Sequence, residues 1–153
     1  MVSGPATLKL GDFGCSTRIS DVGTQTGAIT GMFGTPVYMA PEVCREGYST
    51  KTHDVVGYGR AVDIWSVGCV VLEMVTGKKP FHEMDLAGNQ AMSLYYHIGM
   101  NHGPTIPATI DEQCASFIRA CLEPDAERRP TADTLLADQF CQVVTRQPSF
   151  SAD

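Results

Sequence analysis

The stretch that decides the fold is Asp63-Ile-Trp-Ser-Val-Gly-Cys-Val-Val-Leu-Glu-Met-Val-Thr76. Asp63 suits the first turn of a helix, where a carboxylate complements the positive end of the macrodipole. Gly77 stands where a helix stops, and Pro80 follows shortly after. Between these signals apolar residues cover nearly the whole circumference instead of one stripe, which predicts a helix buried on all sides. At roughly 21 Å it is too short to cross a bilayer. It reads as the central helix of a helical domain.

Further helices follow it in sequence. Over Ile110 to Leu122, the positions of Cys114, Phe117, Ile118, Cys121 and Leu122 fit the i, i+3, i+4, i+7, i+8 pattern of an amphipathic helix. Gly88 to Met100 predicts another, with Ala91, Leu94, Tyr95 and Ile98 on one face. After Pro130, Thr131 is an N-cap candidate, and Leu135, Leu136 and Phe140 are apolar positions. On the N-terminal side, Leu8-Lys9-Leu10 alternates with period two and predicts a short strand, with Gly11 to Gly14 as a tight turn. Cys15 to Phe33 is a long polar loop, and Thr145 to Asp153 is a tail without pattern.

Composition narrows the function classes. Of 153 residues, 43% are hydrophobic and 18% charged, a globular balance that excludes an intrinsically disordered chain. Eleven Lys and Arg against seventeen Asp and Glu leave a net charge of -6, which argues against binding nucleic-acid or membrane phosphates. No apolar run reaches the length of a membrane span, and the first residues carry neither a basic nor an apolar signal region. Cys15, Cys44, Cys69, Cys114, Cys121 and Cys141 include no C-x-x-C pair, and Cys69, Cys114 and Cys121 fall in apolar helical patterns. They are expected to be reduced core thiols, not zinc ligands or disulfides, as suits a cytoplasmic protein.

Four motifs stand in order: Asp12-Phe13-Gly14, Gly34-Thr35-Pro36-Val37-Tyr38-Met39-Ala40-Pro41-Glu42, Asp63-Ile64-Trp65-Ser66-Val67-Gly68 and Arg129-Pro130-Thr131-Ala132. Together they resemble the C-terminal part of the protein kinase catalytic domain, from its D-F-G motif to its last helix. The resemblance covers roughly residues 7 to 141. It implies a mainly α fold: the C-terminal lobe of the protein-kinase-like fold, truncated, with residues 1–141 as a partial kinase domain and 142–153 as a tail. The Gly34-Thr35 form is that of serine/threonine kinases. The tracts Lys9 to Ser16 and Gly68 to Lys78 are most similar to those of MAP kinase kinase kinases.

The resemblance assigns roles. Asp12 would bind the Mg²⁺ that bridges the phosphates of ATP, Phe13 would pack under that site, and Gly14 would give the turn its freedom. Without the other motifs, Asp12 would be an ordinary polar turn residue. The segment between Asp12 and Glu42 would be the activation loop, with Ser16, Thr17, Ser20, Thr24, Thr26 and Thr30 as candidate phosphoacceptors. Thr30 is the first choice and Thr26 the next. Gly34 and Thr35 would line the substrate pocket, Thr35 bonding the catalytic aspartate. Glu42 would pair with Arg129, and Asp63 would tether the catalytic loop, although an N-terminal helix acid is also at home there.

Several kinase parts are missing from these residues. There is no His-Arg-Asp, and none of the four lysines (Lys9, Lys51, Lys78, Lys79) sits in a V-A-I-K-like strand. The glycines at 27, 31 and 34 do not follow a strand. The N-lobe and catalytic loop are thus expected to be absent, with no catalytic residue retained, and the chain to be a fragment or truncated gene product. Cys44 to Arg60 is several residues longer than the family usually has, an insertion read as neutral surface in preference to a docking element.

Two functions are consistent with this. One is part of an ATP- and Mg-dependent serine/threonine kinase that phosphorylates a MAP kinase kinase, inactive as the 153 residues alone. The other is a non-catalytic binding module, a decoy or scaffold using surfaces such as the Gly88–Met100 helix. With helical partners missing, the central helix would leave an apolar patch exposed.

Overall fold

The computed structural model describes residues 9–16, 34–46, 59–84 and 91–142. Among them six α-helices follow in order: α1 (Pro41–Glu46), α2 (Ala61–Thr76), α3 (Ala91–Gly99), α4 (Glu112–Cys121), α5 (Ala132–Leu136) and α6 (Gln139–Gln142). Single 3-10 turns occupy Phe13–Cys15 and Pro36–Tyr38.

The decisive stretch forms α2, which starts two residues before Asp63. Its stop is built as the sequence suggests: Gly77 has φ 68, a left-handed conformation that glycine adopts at little cost, and its N–H bonds the Glu73 carbonyl at 2.8 Å. Trp65, Cys69 and Leu72 turn inward, exposed by no more than 3%. The helix meets α4 at Gly68, where an added Cβ would stand 2.7 Å from Cys121 Cβ. Helix α4 is capped by Asp111, whose carboxylate accepts the N–H groups of Gln113 and Cys114, and it buries Phe117, Ile118 and Cys121 against α2.

The expectation that α2 is buried on all sides does not hold. Val67, Val70 and Met74 are 42%, 46% and 70% exposed. They sit at i, i+3 and i+7, one continuous stripe on the face away from α4, and no described element packs over it. The apolar patch expected from missing partners is therefore present among the described residues.

Helix α3 lies on α1. Leu94 and Ile98 are buried there, and Gly99 lets Arg45 pass close, its Cγ 3.5 Å from where a Cβ would be. The segment after Pro130 is two short helices and not one. Thr131 caps α5 by accepting the Thr134 N–H, and Asp138 then accepts the Phe140 N–H at 2.8 Å, restarting the chain as α6. Phe140 packs on Phe117 with ring centroids 4.7 Å apart.

No strand occurs among the described residues, so the expected Leu8–Leu10 strand is not formed at Lys9 and Leu10. Leu10 is 89% exposed, and a lone strand without a ladder partner has little to hold it. Leu8, residues 17–33, most of the Cys44–Arg60 insertion and the tail from residue 143 lie outside the described residues.

Cys44, Cys69, Cys114 and Cys121 are free and buried, and Cys141 is free and half-buried. Burial pushes the thiols of Cys44, Cys69 and Cys121 up to about 12. No helix of the described residues is long and apolar enough to cross a membrane, and no cluster of three or more metal-ligating side chains occurs among them.

Candidate functional site

The segment Gly34–Glu42 is held against α2 by a set of polar bonds whose origin is local. Gly34 takes φ 113, a conformation that disfavours any side chain, and turns the chain inward. Thr35 and Pro36 start a 3-10 turn, with the N–H groups of Tyr38 and Met39 returning to the carbonyls of Thr35 and Pro36 at 3.1 and 3.0 Å. Val37, Met39 and Ala40 then point into the core, while Gly34 and Thr35 stay exposed on the outer rim. Tyr38 donates its hydroxyl to Glu73 of α2 at 2.6 Å, and the Ser66 hydroxyl donates to the Tyr38 carbonyl at 2.9 Å. The bond to Glu73, helped by burial and by the carboxylate's charge, raises the Tyr38 phenol to about 12.

Glu42, in the first turn of α1, meets Arg129, 87 residues later, in a two-pronged ion pair. Arg129 Nη1 lies 2.8 Å from Glu42 Oε1 and Nη2 lies 3.1 Å from Oε2. Two further donors are also used: Nη1 reaches the Ala61 carbonyl at 2.7 Å, and Nε reaches the Glu123 carbonyl at 2.9 Å. The guanidinium lies 5.3 Å from the centre of the Trp65 ring. The Arg129 side chain is fully buried and that of Glu42 is 17% exposed. One cation thus joins the start of α1, the start of α2 and the turn after α4.

The other assigned residues are not drawn into this cluster. Asp63 is exposed in the first turn of α2, and its carboxylate makes no hydrogen bond among the described residues. Partial loss of solvent raises its carboxyl above the usual carboxylate range. Asp12 itself takes the left-handed conformation, φ 58 and ψ 60, in place of Gly14, and stands exposed before the Phe13–Cys15 turn. Phe13 is 65% exposed, so the expected packing beneath a metal site is not found among the described residues. An aromatic ring needs a wall to cover it, and no described element supplies one there. Thr26 and Thr30 lie outside the described residues.

Asp12 offers one hard carboxylate to a cation. A Mg²⁺ bound through it would take its other ligands from water and from the phosphates of a nucleotide. The residues fit such a group only in part, because Asp12 belongs to no cluster of three or more metal-ligating side chains among the described residues.

Sequence reasoning missed the Tyr38–Glu73 and Ser66–Tyr38 bonds. Their signal was present: Ser66 and Glu73 are polar interruptions one helical repeat apart in an otherwise apolar helix.

Residues 1–141 match the family described as "Protein kinase domain", and the chain belongs to that family. Among curated proteins it is 42% identical over 139 residues to human Mitogen-activated protein kinase kinase kinase 4, covering 90% of this chain and 8% of that protein. It is 38% identical over 150 residues to human Mitogen-activated protein kinase kinase kinase 5, covering 95% and 10% respectively. Against mouse Mitogen-activated protein kinase kinase kinase 19 the figures are 42% over 138 residues, 87% and 10%. The chain thus spans about a tenth of the length of these relatives.

Proposed function

We propose that these residues form the C-lobe part of a serine/threonine protein kinase that acts, in the cytoplasm, as a MAP kinase kinase kinase. The intact enzyme would use ATP and Mg²⁺ to phosphorylate a MAP kinase kinase. The observation that carries this reading is the Glu42–Arg129 clamp, which ties the Gly34–Glu42 segment to the base of the buried helix. With that segment fixed, Gly34 and Thr35 form an exposed edge at which a substrate hydroxyl and a catalytic aspartate could meet.

In this reading Asp12 holds the metal, and phosphorylation at Thr30 or Thr26 orders the segment before Gly34. Asp63 accepts backbone N–H groups of the catalytic loop, a role suited to an exposed carboxylate with no partner of its own. Phosphoryl transfer is mostly positioning and electrostatic stabilisation. The 153 residues contain no His-Arg-Asp and no V-A-I-K lysine, so by themselves they are expected to transfer no phosphate. Sequencing the full transcript tests the reading. A coding stretch for H-R-D-x-x-x-x-N joined in frame before residue 1 supports it; an in-frame stop upstream of Met1 contradicts it.

The exposed apolar stripe Val67, Val70 and Met74 favours a second reading, a non-catalytic lobe that binds a kinase substrate or regulator as a decoy or scaffold. The same transcript separates the two.

A further inference from the structure

An open groove of about 590 Å³ lies between the end of α2, the turn that follows it and the start of α4, on a different part of the surface from the Glu42–Arg129 clamp. Its floor is apolar, built from Leu72, Val75, Ile110 and Cys114, and Val75 is left 47% exposed. Lys78 and Lys79 stand at its edge, both exposed, and neither takes part in an ion pair among the described residues.

Most of the other polar groups of the groove are engaged, Thr105 among them, which donates to Glu83 at 2.9 Å. Thr76 donates its hydroxyl to the Leu72 carbonyl at 2.7 Å. Asp111 is the only carboxylate in the lining, and it accepts the N–H groups that open α4 at 3.0 and 3.4 Å, where the helix dipole offsets its charge. His82 lies 3.3 Å from Glu83. An apolar floor, the Thr109 hydroxyl and two lysines without an ion pair among the described residues remain. In a chain of net charge -6 with four lysines, two adjacent ones beside exposed apolar surface form a local reversal of sign.

We propose that this groove docks an acidic, apolar peptide segment of a partner protein. One or two apolar side chains of that segment lie on Val75 and Ile110, and flanking carboxylates meet Lys78 and Lys79. A volume of this size takes a few side chains, and an open trough suits a chain that passes through it, whereas a small ligand needs enclosure. The apolar floor supplies affinity and the lysines set orientation and partner choice. The proposal does not rest on the kinase reading, since none of its residues belongs to the four motifs that carry chemistry.

The test is fluorescence anisotropy of a fluorescein-labelled Glu-Leu-Asp-Phe-Glu-Leu peptide against the complete 153-residue chain. Saturable binding is expected, weakened about tenfold or more by the Lys78→Glu/Lys79→Glu pair, which is exposed and should leave the circular dichroism spectrum unchanged. Ile110→Glu should weaken it as well, and raising the salt from about 50 to about 500 mM should do so by shortening the range of the charges. The proposal is overturned by no saturable binding, or by an affinity indifferent to both lysines. Equal binding of hexaglutamate overturns it too, because that means charge alone. Displacement of the peptide by laurate at lower concentration than by unlabelled peptide overturns it in favour of a small amphiphile.

Discussion

Glu42→Ala should be the most damaging single substitution outside the apolar core, and its size follows from the contacts. The Arg129 guanidinium is wholly buried and makes four polar contacts, at 2.7, 2.8, 2.9 and 3.1 Å. Removing Glu42 takes away the only negative charge among them and leaves a buried cation facing two carbonyls. Breaking a buried pair from one side costs about 3–5 kcal/mol. Glu42 is 17% exposed, so some water can enter, which places the loss near the lower end, about 3 kcal/mol. That is roughly a hundredfold in the folding equilibrium and a large share of a typical domain's stability. Arg129→Met should cost less, because Glu42 can then hydrate through its open edge, although the Ala61 and Glu123 carbonyls lose a donor. The double variant should be more stable than the sum of the single losses predicts, with a coupling of about 1–3 kcal/mol. Urea unfolding followed by the fluorescence of Trp65 measures this locally, since it is the only tryptophan and lies 5.3 Å from the guanidinium. A Glu42→Ala loss below about 0.5 kcal/mol at an unchanged urea slope would refute the reasoning.

Other outcomes follow from single contacts. Gly68→Ala should destabilise the chain by about 1–3 kcal/mol in thermal melts despite alanine's better helix propensity, because the new Cβ would sit 2.7 Å from Cys121 Cβ. Tyr38 has a folded pKa of about 12 against 10.0 for an ordinary phenol, so its bond to Glu73 stabilises the fold fully below pH 10 and is lost as pH rises toward 12. Ultraviolet titration should therefore show a late-ionising tyrosine step, and Tyr38→Phe should reduce that step by one tyrosine and cost about 1–2 kcal/mol near neutral pH. Among the described thiols, the half-buried Cys141 should react with a thiol reagent well before Cys44, Cys69 and Cys121, whose burial holds them protonated. Equal rates for all would contradict the packing.

The helices were legible because their signals are local. The Gly77 stop and the Thr131 cap each act within a few residues, so sequence spacing is enough to find them; the Asp111 cap of α4 is equally local but was seen only in the structure. The break between α5 and α6 was not read, because Asp138 competes for the backbone through its own side chain and interrupts a run whose apolar spacing alone looks continuous. The burial of α2 falls short of its composition for a different reason: composition shows that a helix is apolar all round, but not whether a neighbour covers each face. At Lys9 and Leu10 the expected strand is not formed for the same reason, since alternation supplies no ladder partner. In the site, Glu42 and Arg129 were paired through family motifs; nothing in spacing alone joins residues 87 apart. The Tyr38–Glu73 bond had a sequence trace in an acid deep within an apolar helix, but its partner becomes visible only once the 3-10 turn places the phenol.

In the proposed enzyme, Asp12 and the clamped Gly34–Glu42 segment would belong to a phosphotransfer site completed by a His-Arg-Asp catalytic loop. The most direct measurement is phosphorylation of a purified MAP kinase kinase, with ATP and Mg²⁺, by the transcript-encoded protein that carries that loop, compared with its Asp12→Asn variant. Phosphorylation by the first is expected, with a loss of at least about a hundredfold in the second and unchanged urea unfolding, because Asp12 is exposed and makes no core contact. Equal rates from the two proteins, or binding of the MAP kinase kinase without phosphorylation by the unaltered one, would contradict this.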